Sequence, residues 1–212
     1  MATNESSGLR ERKKVATREA LSAAALKLAL ENGLENVRVL DIADAAGVSP
    51  RTYNNYFSSL EEAIVAAVTS ERALRVAGAL RARPADEPLD EAVTEAVVEQ
   101  YTWAPDSEVL ALITTAPRLR RQFVETVAQI RRPLASVIAV RIGSDDMFVP
   151  NVLAEAVSAA VRVALEHWVH PSTNANAAAK GFVVVTGERS LADLLRDALA
   201  CVAPALRAAA DV

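Results

Sequence analysis

The sequence predicts an all-α fold with two helical domains, an N-terminal domain of short helices and a larger C-terminal domain. Alanine supplies 43 of the 212 residues, whereas aromatic residues make up only 4% and there are 7 glycines and 9 prolines. Alanine loses no side-chain entropy in a helix, and strands favour β-branched and aromatic residues. The composition therefore argues against a β-sandwich, and the length suffices for one large or two small domains.

The first three predicted helices lie close together in the sequence. Apolar residues on one helical face and the stop signal Asn32-Gly33 predict a first helix over 10–32, preceded by a loose polar arm over 1–8. An i, i+3, i+4, i+7 pattern from Val39 predicts a second helix over 39–46, which Gly47 ends. Ser49 as N-cap and Pro50 at the first helical position predict a third helix over 50–56.

The remaining helices are longer. A capping box, either Ser58 with Glu61 or Ser59 with Glu62, predicts a fourth helix of about 25 residues that ends near Pro84. Further helices are expected over 88–101, 108–115, 117–142 and 150–169, the third of them bent or divided by Pro133. Residues 171–189 are expected to form a loop, and Ser190 begins a last helix over 190–207.

Two short helices joined by a turn that contains glycine, after a supporting helix, have the spacing of a helix-turn-helix. The apolar residues of this segment can bury one side of the third helix, which leaves Arg51, Thr52, Asn54, Asn55 and Tyr56 on its outer side. Arginine can donate twice to guanine and asparagine can pair with adenine. From spacing alone, the alternative is that Asn54 and Asn55 only cap or solvate a surface turn.

The charge distribution favours a polyanion at the N-terminal end. Residues 1–60 hold 8 Lys+Arg against 7 Asp+Glu, although the whole chain has a net charge of −4. Five basic residues lie within 10–18, and attraction to phosphate depends on local charge. A solvated basic tail is the alternative interpretation.

The stretch from Leu9 to Ile64, with its core LDIADAAGVSPRTYNNYFSSLEEAI, resembles the DNA-binding domain of the TetR family of transcriptional regulators. The resemblance implies an all-α homodimer, with a DNA-binding domain over 1–58 and a helical effector-binding and dimerisation domain over 59–212. It implies DNA contacts at the third helix and its approaches, from Arg38, Ser49, Pro50, Arg51, Thr52, Asn54, Asn55 and Tyr56.

Three positions depart from the family pattern. Members commonly carry Tyr or Phe in place of Asn54, and Lys in place of Leu60, where the lysine approaches a phosphate. Arg38 stands near the start of the second helix, where Thr or Ser is common, and could restore the lost contact. The operator sequence therefore cannot be transferred from the family.

The C-terminal domain carries two candidate sets of residues. Large side chains between the DNA-binding end and the last helices could line an effector pocket or form ordinary core; they are Tyr101, Trp103, Leu110, Ile113, Phe123, Val127, Ile130, Phe148, His167 and Trp168. Apolar residues of the last two helices could pair with the same helices of a second copy in a four-helix interface, or they could belong to the core of one protomer. These residues are Ala156, Ala160, Leu191, Leu194, Leu195, Ala198, Leu199 and Val202.

The sequence shows no catalytic, cofactor or metal pattern. His167 and His170 lack further ligands at suitable spacing, and no phosphate loop, nucleophile elbow or dinucleotide fingerprint occurs. Cys201 is the only cysteine, and the sequence has no export signal, so we expect a cytoplasmic protein. Charges interrupt each apolar stretch before about 18 residues, which predicts that the chain does not span a membrane.

The chain is predicted to be a ligand-responsive repressor without enzymatic activity, cofactor or metal, which binds palindromic operator DNA as a homodimer and is released by a small-molecule effector. The alternative is a helical module that binds small molecules or proteins but not DNA.

Overall fold

The computed structural model describes residues 2–69, 72–102, 107–169 and 189–210, and every regular element in these ranges is helical. Contacts divide the chain into two compact units, Met1–Ser70 and Glu71–Val212. The N-terminal unit also includes residues 60–69, the first part of the predicted fourth helix, which the boundary expected at 58 assigned to the C-terminal domain.

The N-terminal unit contains α1 (Ala2–Asn32), α2 (Val39–Ala45), α3 (Pro50–Tyr56) and α4 (Leu60–Thr69), with a 3₁₀ turn over Leu34–Asn36. Helix α1 packs against α2 and α4, and α2 packs against α3. The helix begins at Ala2, so the prediction of a loose arm over 1–8 is wrong for residues 2–8. Once a helix is nucleated, each added residue gains a hydrogen bond, and the polar N-terminal residues extend α1 in this way.

The C-terminal unit contains α5 (Arg72–Ala82), α6 (Leu89–Tyr101), α7 (Ser107–Thr115), α8 (Pro117–Glu125), α9 (Arg131–Arg141), α10 (Phe148–Val169), α11 (Leu191–Ala200) and α12 (Ala203–Ala210). Helix α10 packs against α9 and α11, while α6 packs against α5, α11 and α12. The predicted fourth helix corresponds to α4 and α5; residues 70 and 71 between them lie outside the described residues, as does nearly all of the predicted loop over 171–189.

Proline divides two helices that were predicted to be longer. A 3₁₀ segment over Thr126–Ile130 separates α8 from α9, immediately before Pro133. Cys201 and Val202 separate α11 from α12, immediately before Pro204. A proline ring clashes with the carbonyl four residues earlier, so the disruption lies on its N-terminal side. The division at Pro133 confirms the prediction, whereas the continuous last helix over 190–207 was wrong.

A single arginine holds the end of α5 to the start of α6. The Arg141 guanidinium donates to the carbonyl oxygens of Leu80, Arg83, Pro84 and Glu87 at 2.8 to 3.4 Å. These carbonyls include ones that the C-terminus of α5 leaves without intrahelical partners. Arg141 thereby fixes the turn between two helices of the C-terminal unit.

By length and composition alone, α10 is apolar enough to cross a membrane. The expectation that charges exclude every such stretch is therefore not met by this helix. However, Leu153, Val157, Val161 and Leu165 recur on one face of α10 and are buried within the C-terminal unit. This pattern is typical of a core helix in a globular domain.

Candidate nucleic-acid interface

The turn between α2 and α3 is closed by a pair of backbone hydrogen bonds around Gly47. The Val48 N–H donates to the Ala43 carbonyl at 2.9 Å, and the Gly47 N–H donates to the Asp44 carbonyl at 3.1 Å. Gly47 has φ of 68°, the left-handed conformation that this helix ending requires and that glycine adopts without strain. The geometry ends α2 sharply and directs the chain into α3.

Helix α3 starts with the predicted cap. The Ser49 hydroxyl accepts a hydrogen bond from the Thr52 N–H at 3.1 Å, and Pro50 occupies the first turn. Arg51, Asn54 and Asn55 are exposed, while Thr52 and Tyr56 are half-buried. The residues of the outer face thus differ in exposure. Arg51, Asn54 and Asn55 are open to solvent, whereas the rest of the protein partly covers Thr52 and Tyr56.

The opposite face of α3 is fixed by two aromatic rings. Tyr53 is 2% exposed and Phe57 3% exposed, and their ring centroids lie 5.7 Å apart. The Tyr53 hydroxyl donates to the Ser59 carbonyl at 3.0 Å, and burial, with the nearby carboxylates of Glu62 and Glu61, raises the pKa of Tyr53 to about 12. Tyr53 therefore stays neutral at physiological pH and ties α3 to the start of α4.

Arg18 connects α1 to the end of α3. Its guanidinium donates to the Tyr56 carbonyl at 2.8 Å, lies 4.3 Å from the centre of the Phe57 ring, and reaches the Glu62 carboxylate at 3.5 Å. Sequence reasoning assigned Arg18 only to the basic N-terminal cluster. The structure shows instead that this arginine holds the C-terminal end of α3 against α1.

The start of α4 selects one of the two predicted capping boxes. The Ser59 hydroxyl accepts from the Glu62 N–H at 3.0 Å, and the Glu62 carboxylate accepts from both the N–H and the hydroxyl of Ser58. Burial alone would raise the pKa of Glu62, but these hydrogen bonds and Arg18 outweigh it and hold that pKa below its ordinary value. The ionised carboxylate therefore stabilises the junction between α3 and α4.

A basic cleft of about 500 Å³ lies between α1 and the end of α3, lined by Arg10, Lys13, Lys14, Thr17 and Tyr56. The three cations are exposed, and none of the ion pairs between described residues involves them. Sequence reasoning noted the charges but did not connect them to Tyr56. A helix spacing of three to four residues between Arg10, Lys13, Lys14 and Thr17 was the available signal.

Two of the three departures from the family pattern lie at helix starts, Arg38 at the N-cap of α2 and Leu60 at the first position of α4. The Arg38 N–H donates to the Asp41 carboxylate at 3.3 Å, which caps α2 and leaves the Arg38 side chain exposed. Leu60 is half-buried at the first position of α4 and has no charge to offer a phosphate. An exposed Arg38 is consistent with its expected role as a replacement cation.

Two family models match this chain. Residues 21–67 match the model described as "Bacterial regulatory proteins, tetR family", and residues 87–207 match the model described as "MftR C-terminal domain". The chain is also 32% identical over 174 residues to the HTH-type transcriptional regulator TcmR of Streptomyces glaucescens, which covers 76% of each protein. The chain belongs to the TetR family. It is a TetR-family regulator with a DNA-binding domain and a ligand-binding domain.

A solved TetR-family structure has a similar fold. The FadR repressor of Thermus thermophilus, crystallised with lauroyl-CoA, superposes with a TM-score of 0.50 at 19% identity. The match covers 87% of this chain and 92% of that chain. The similarity extends over both domains and supports the all-α architecture.

In the ligand-binding domain of this TetR-family protein, half of the predicted pocket residues are buried: Tyr101, Ile113, Phe123, Val127 and Ile130. Leu110 and Trp168 are half-buried, and Trp103 lies outside the described residues. Phe148 is 71% exposed and His167 is also exposed, so the structure does not bring these two into the buried group. Phe148 begins α10, where its N–H donates to Asp146 and its ring points away from the core.

A separate open groove of about 450 Å³ lies between α8 and α10, lined by Pro117, Arg120, Arg121, Val124, Glu125, Arg162, Glu166 and Val169. None of the predicted pocket residues lines it. The Arg162 guanidinium donates to the Glu166 carboxylate at 2.6 Å within this groove. It is therefore an open surface groove with several charged residues along it, separate from the residues that the sequence predicted to line a pocket.

The predicted dimer residues divide into two groups. Ala156, Ala160, Leu191, Leu194, Ala198 and Val202 are half-buried in the protomer. Leu195 and Leu199 are fully buried where α11 packs against α6 and α10, so their assignment to the interface is corrected: they belong to the protomer core. One face of α10 also carries exposed apolar residues, among them Val152 and Val163.

Proposed function

We propose that this chain is a cytoplasmic repressor that binds palindromic operator DNA as a homodimer and is released by a small-molecule effector. The observation that carries the proposal is the outer face of α3, where Arg51, Asn54 and Asn55 are exposed. Their side chains match the donors and acceptors that read guanine and adenine in a major groove. Buried Tyr53 and Phe57 fix the helix that presents them.

The basic cleft supports the same proposal. Arg10, Lys13 and Lys14 provide sequence-independent attraction to phosphate next to the face that would contact bases. Phosphate contacts set the register of a protein on a duplex, and base contacts set the sequence that it prefers. We assign the first role to the cleft and to Arg38, and the second role to α3.

A dimer is needed because one short helix reads few bases, whereas a two-fold protein reads two half-sites. The half-buried small residues Ala156 and Ala160, with exposed Val152 and Val163, give α10 an apolar surface for a second copy. Light scattering should give about twice the protomer mass of 22.6 kDa. Val152→Asp should halve this mass, while Val140→Asp, at an exposed residue of α9, should leave it unchanged.

Effector release follows from thermodynamic coupling. The protein has one conformation that fits DNA and one that does not. An effector lowers operator affinity only if its affinity for the second conformation is higher than its affinity for the first. A tenfold loss of affinity requires a difference of about 1.4 kcal/mol between the two states. The proposal involves no catalytic step.

The direct test is footprinting of the DNA upstream of the chain's own gene at near-physiological salt. We expect two protected half-sites whose centres are about 34–36 Å, or a multiple of that, apart, as for other two-fold helix-turn-helix proteins. No protection above that of a scrambled duplex would contradict the proposal. It would favour the alternative function, a helical module that binds small molecules or proteins but not DNA. In such a module, Leu60 stands where a lysine would otherwise contact a phosphate.

A further inference from the structure

Arg72, at the start of α5, is a buried cation whose Nε–H lacks a hydrogen-bond acceptor among the described residues. Its side chain lies in the ligand-binding domain and is 5% exposed. The Nε–H has no acceptor in the part of the chain that the structure describes. Buried polar groups are almost always paired, because an unpaired one loses its bonds to water and gains nothing in return.

Two aromatic rings lie close to this guanidinium. Its central carbon lies 4.9 Å from the centre of the Tyr101 ring and 5.4 Å from the centre of the Phe123 ring. Cation–π attraction offsets part of the cost of burial. A ring face is a weaker partner for an N–H group than an oxygen acceptor, and the Nε–H has no such acceptor among the described residues. The two rings lie beside Arg72, and its Nε–H stays without a hydrogen-bond acceptor in the part of the chain that the structure describes.

No carboxylate among the described residues pairs with Arg72. Burial raises the pKa of Tyr101 to about 12, so its phenol is neutral at physiological pH. Burial lowers the pKa of Arg72; Tyr101 offsets part of this effect, and the positive charge of Arg75 adds to it. Arg83 and Arg207 of the same unit pair with Glu87 and Asp90, whereas no ion pair between described residues involves Arg72.

We propose that Arg72 binds the carboxylate of the effector, an organic acid with one negative charge and an apolar body. One buried cation balances one negative charge, and the planar edge of a guanidinium matches a carboxylate through two parallel hydrogen bonds. Helix α5 packs against the 3₁₀ segment that contains buried Val127 and Ile130, which favours an apolar body. The inference rests on the proposed function, because it assigns a chemical class to that effector.

The first test needs no ligand. Arg72→Met replaces the buried cation with an apolar chain of similar length, and we expect the thermal unfolding midpoint to stay the same or rise by about 2 to 4 °C. If Arg72 served only to stabilise the fold through its two rings, the midpoint would fall, and a fall would overturn the proposal. Arg81→Met removes the same charge from an exposed residue of α5 and should leave the midpoint unchanged.

The second test uses matched probes in calorimetry without DNA. Octanoate should bind the full-length protein about 10-fold to 100-fold more tightly than 1-octanol, as expected for a charge-assisted hydrogen bond. Arg72→Met should abolish this difference, and Arg81→Met should retain it. No octanoate binding to the wild type, equal binding of the alcohol, tighter binding of octyl phosphate, or a difference that survives Arg72→Met would each overturn the assignment.

The two proposals fail independently. Arg72 lies outside the N-terminal unit, so Arg72→Met should protect the same DNA in footprinting as the wild type does. Octanoate binding without DNA protection would refute operator recognition and leave the carboxylate site standing. DNA protection without any preference for octanoate would refute the carboxylate site alone.

Discussion

The basic cleft makes a quantitative prediction about the salt dependence of DNA binding. Lys14 lines the cleft with Arg10 and Lys13, and all three side chains are exposed. If each cation neutralises a phosphate, it releases condensed counterions when the protein binds. Replacing Lys14 by glutamine removes the charge and keeps a long polar side chain on α1.

The size of the effect follows from the two-fold symmetry of the proposed dimer. Each phosphate contact contributes about 0.9 to the slope of log affinity against log salt, so one lysine from each protomer contributes about 1.8. Between roughly 50 and 200 mM salt, the variant should therefore lose about tenfold less affinity than the wild type. The double variant Lys13→Gln with Lys14→Gln should change the slope by about 3.6.

Fluorescence anisotropy with a labelled operator duplex at several salt concentrations measures this slope. Lys27→Gln is the matched control, because Lys27 is also on α1 but pairs with Glu31 and does not line the cleft. An unchanged slope in Lys14→Gln, or an equal change in Lys27→Gln, would show that the cleft does not face phosphate.

Two further predictions concern stability. Gly47→Ala should lower the free energy of unfolding by about 1–2 kcal/mol, because an added Cβ is strained at φ of 68° although nothing lies within 4 Å of it. The same change at Gly78, inside α5 with equally open space, should raise it by up to about 1 kcal/mol; urea unfolding distinguishes the signs. Because the folded pKa of Glu62 is lowered, its carboxylate stabilises the fold above the unfolded pKa of about 4.3. The stability difference between wild type and Glu62→Gln should shrink as the pH falls through the folded pKa, and a difference independent of pH would contradict this assignment.

The sequence predicted the helix-turn-helix well because its signals are local. Ser49, Pro50 and Gly47 each act through their own backbone geometry, which does not depend on the rest of the chain. The alternation of buried Tyr53 and Phe57 with exposed Asn54 and Asn55 likewise follows from helical periodicity.

The sequence predictions were wrong where tertiary contacts decide which face of a helix is buried, and where a second proline divides the last helix. Leu195 and Leu199 share the stripe of α11 with half-buried neighbours, and periodicity cannot distinguish a core stripe from an interface. Pro204 marks the division before α12, and the interrupting effect assigned to Pro133 applies equally there.

The burial of Arg72 beside two aromatic rings could not be predicted from the sequence. Arginine at that position fits an exposed helix face as well as a buried one, and nothing nearby in sequence shows that the rings of Tyr101 and Phe123 enclose it. The large residues of the predicted pocket could have been core or lining, since both are apolar. Packing in three dimensions decides which side chains remain without partners.

The central claim is that the outer face of α3 reads base sequence, and Arg51→Ala tests it most directly. The measurement is the ratio of affinities for the operator duplex and for a scrambled duplex of the same composition, at one salt concentration. If Arg51 contacts a base, the variant should lose about 1–3 kcal/mol of discrimination. If affinity for both duplexes falls equally and the ratio is unchanged, Arg51 contributes only charge, and the assigned reading face is wrong.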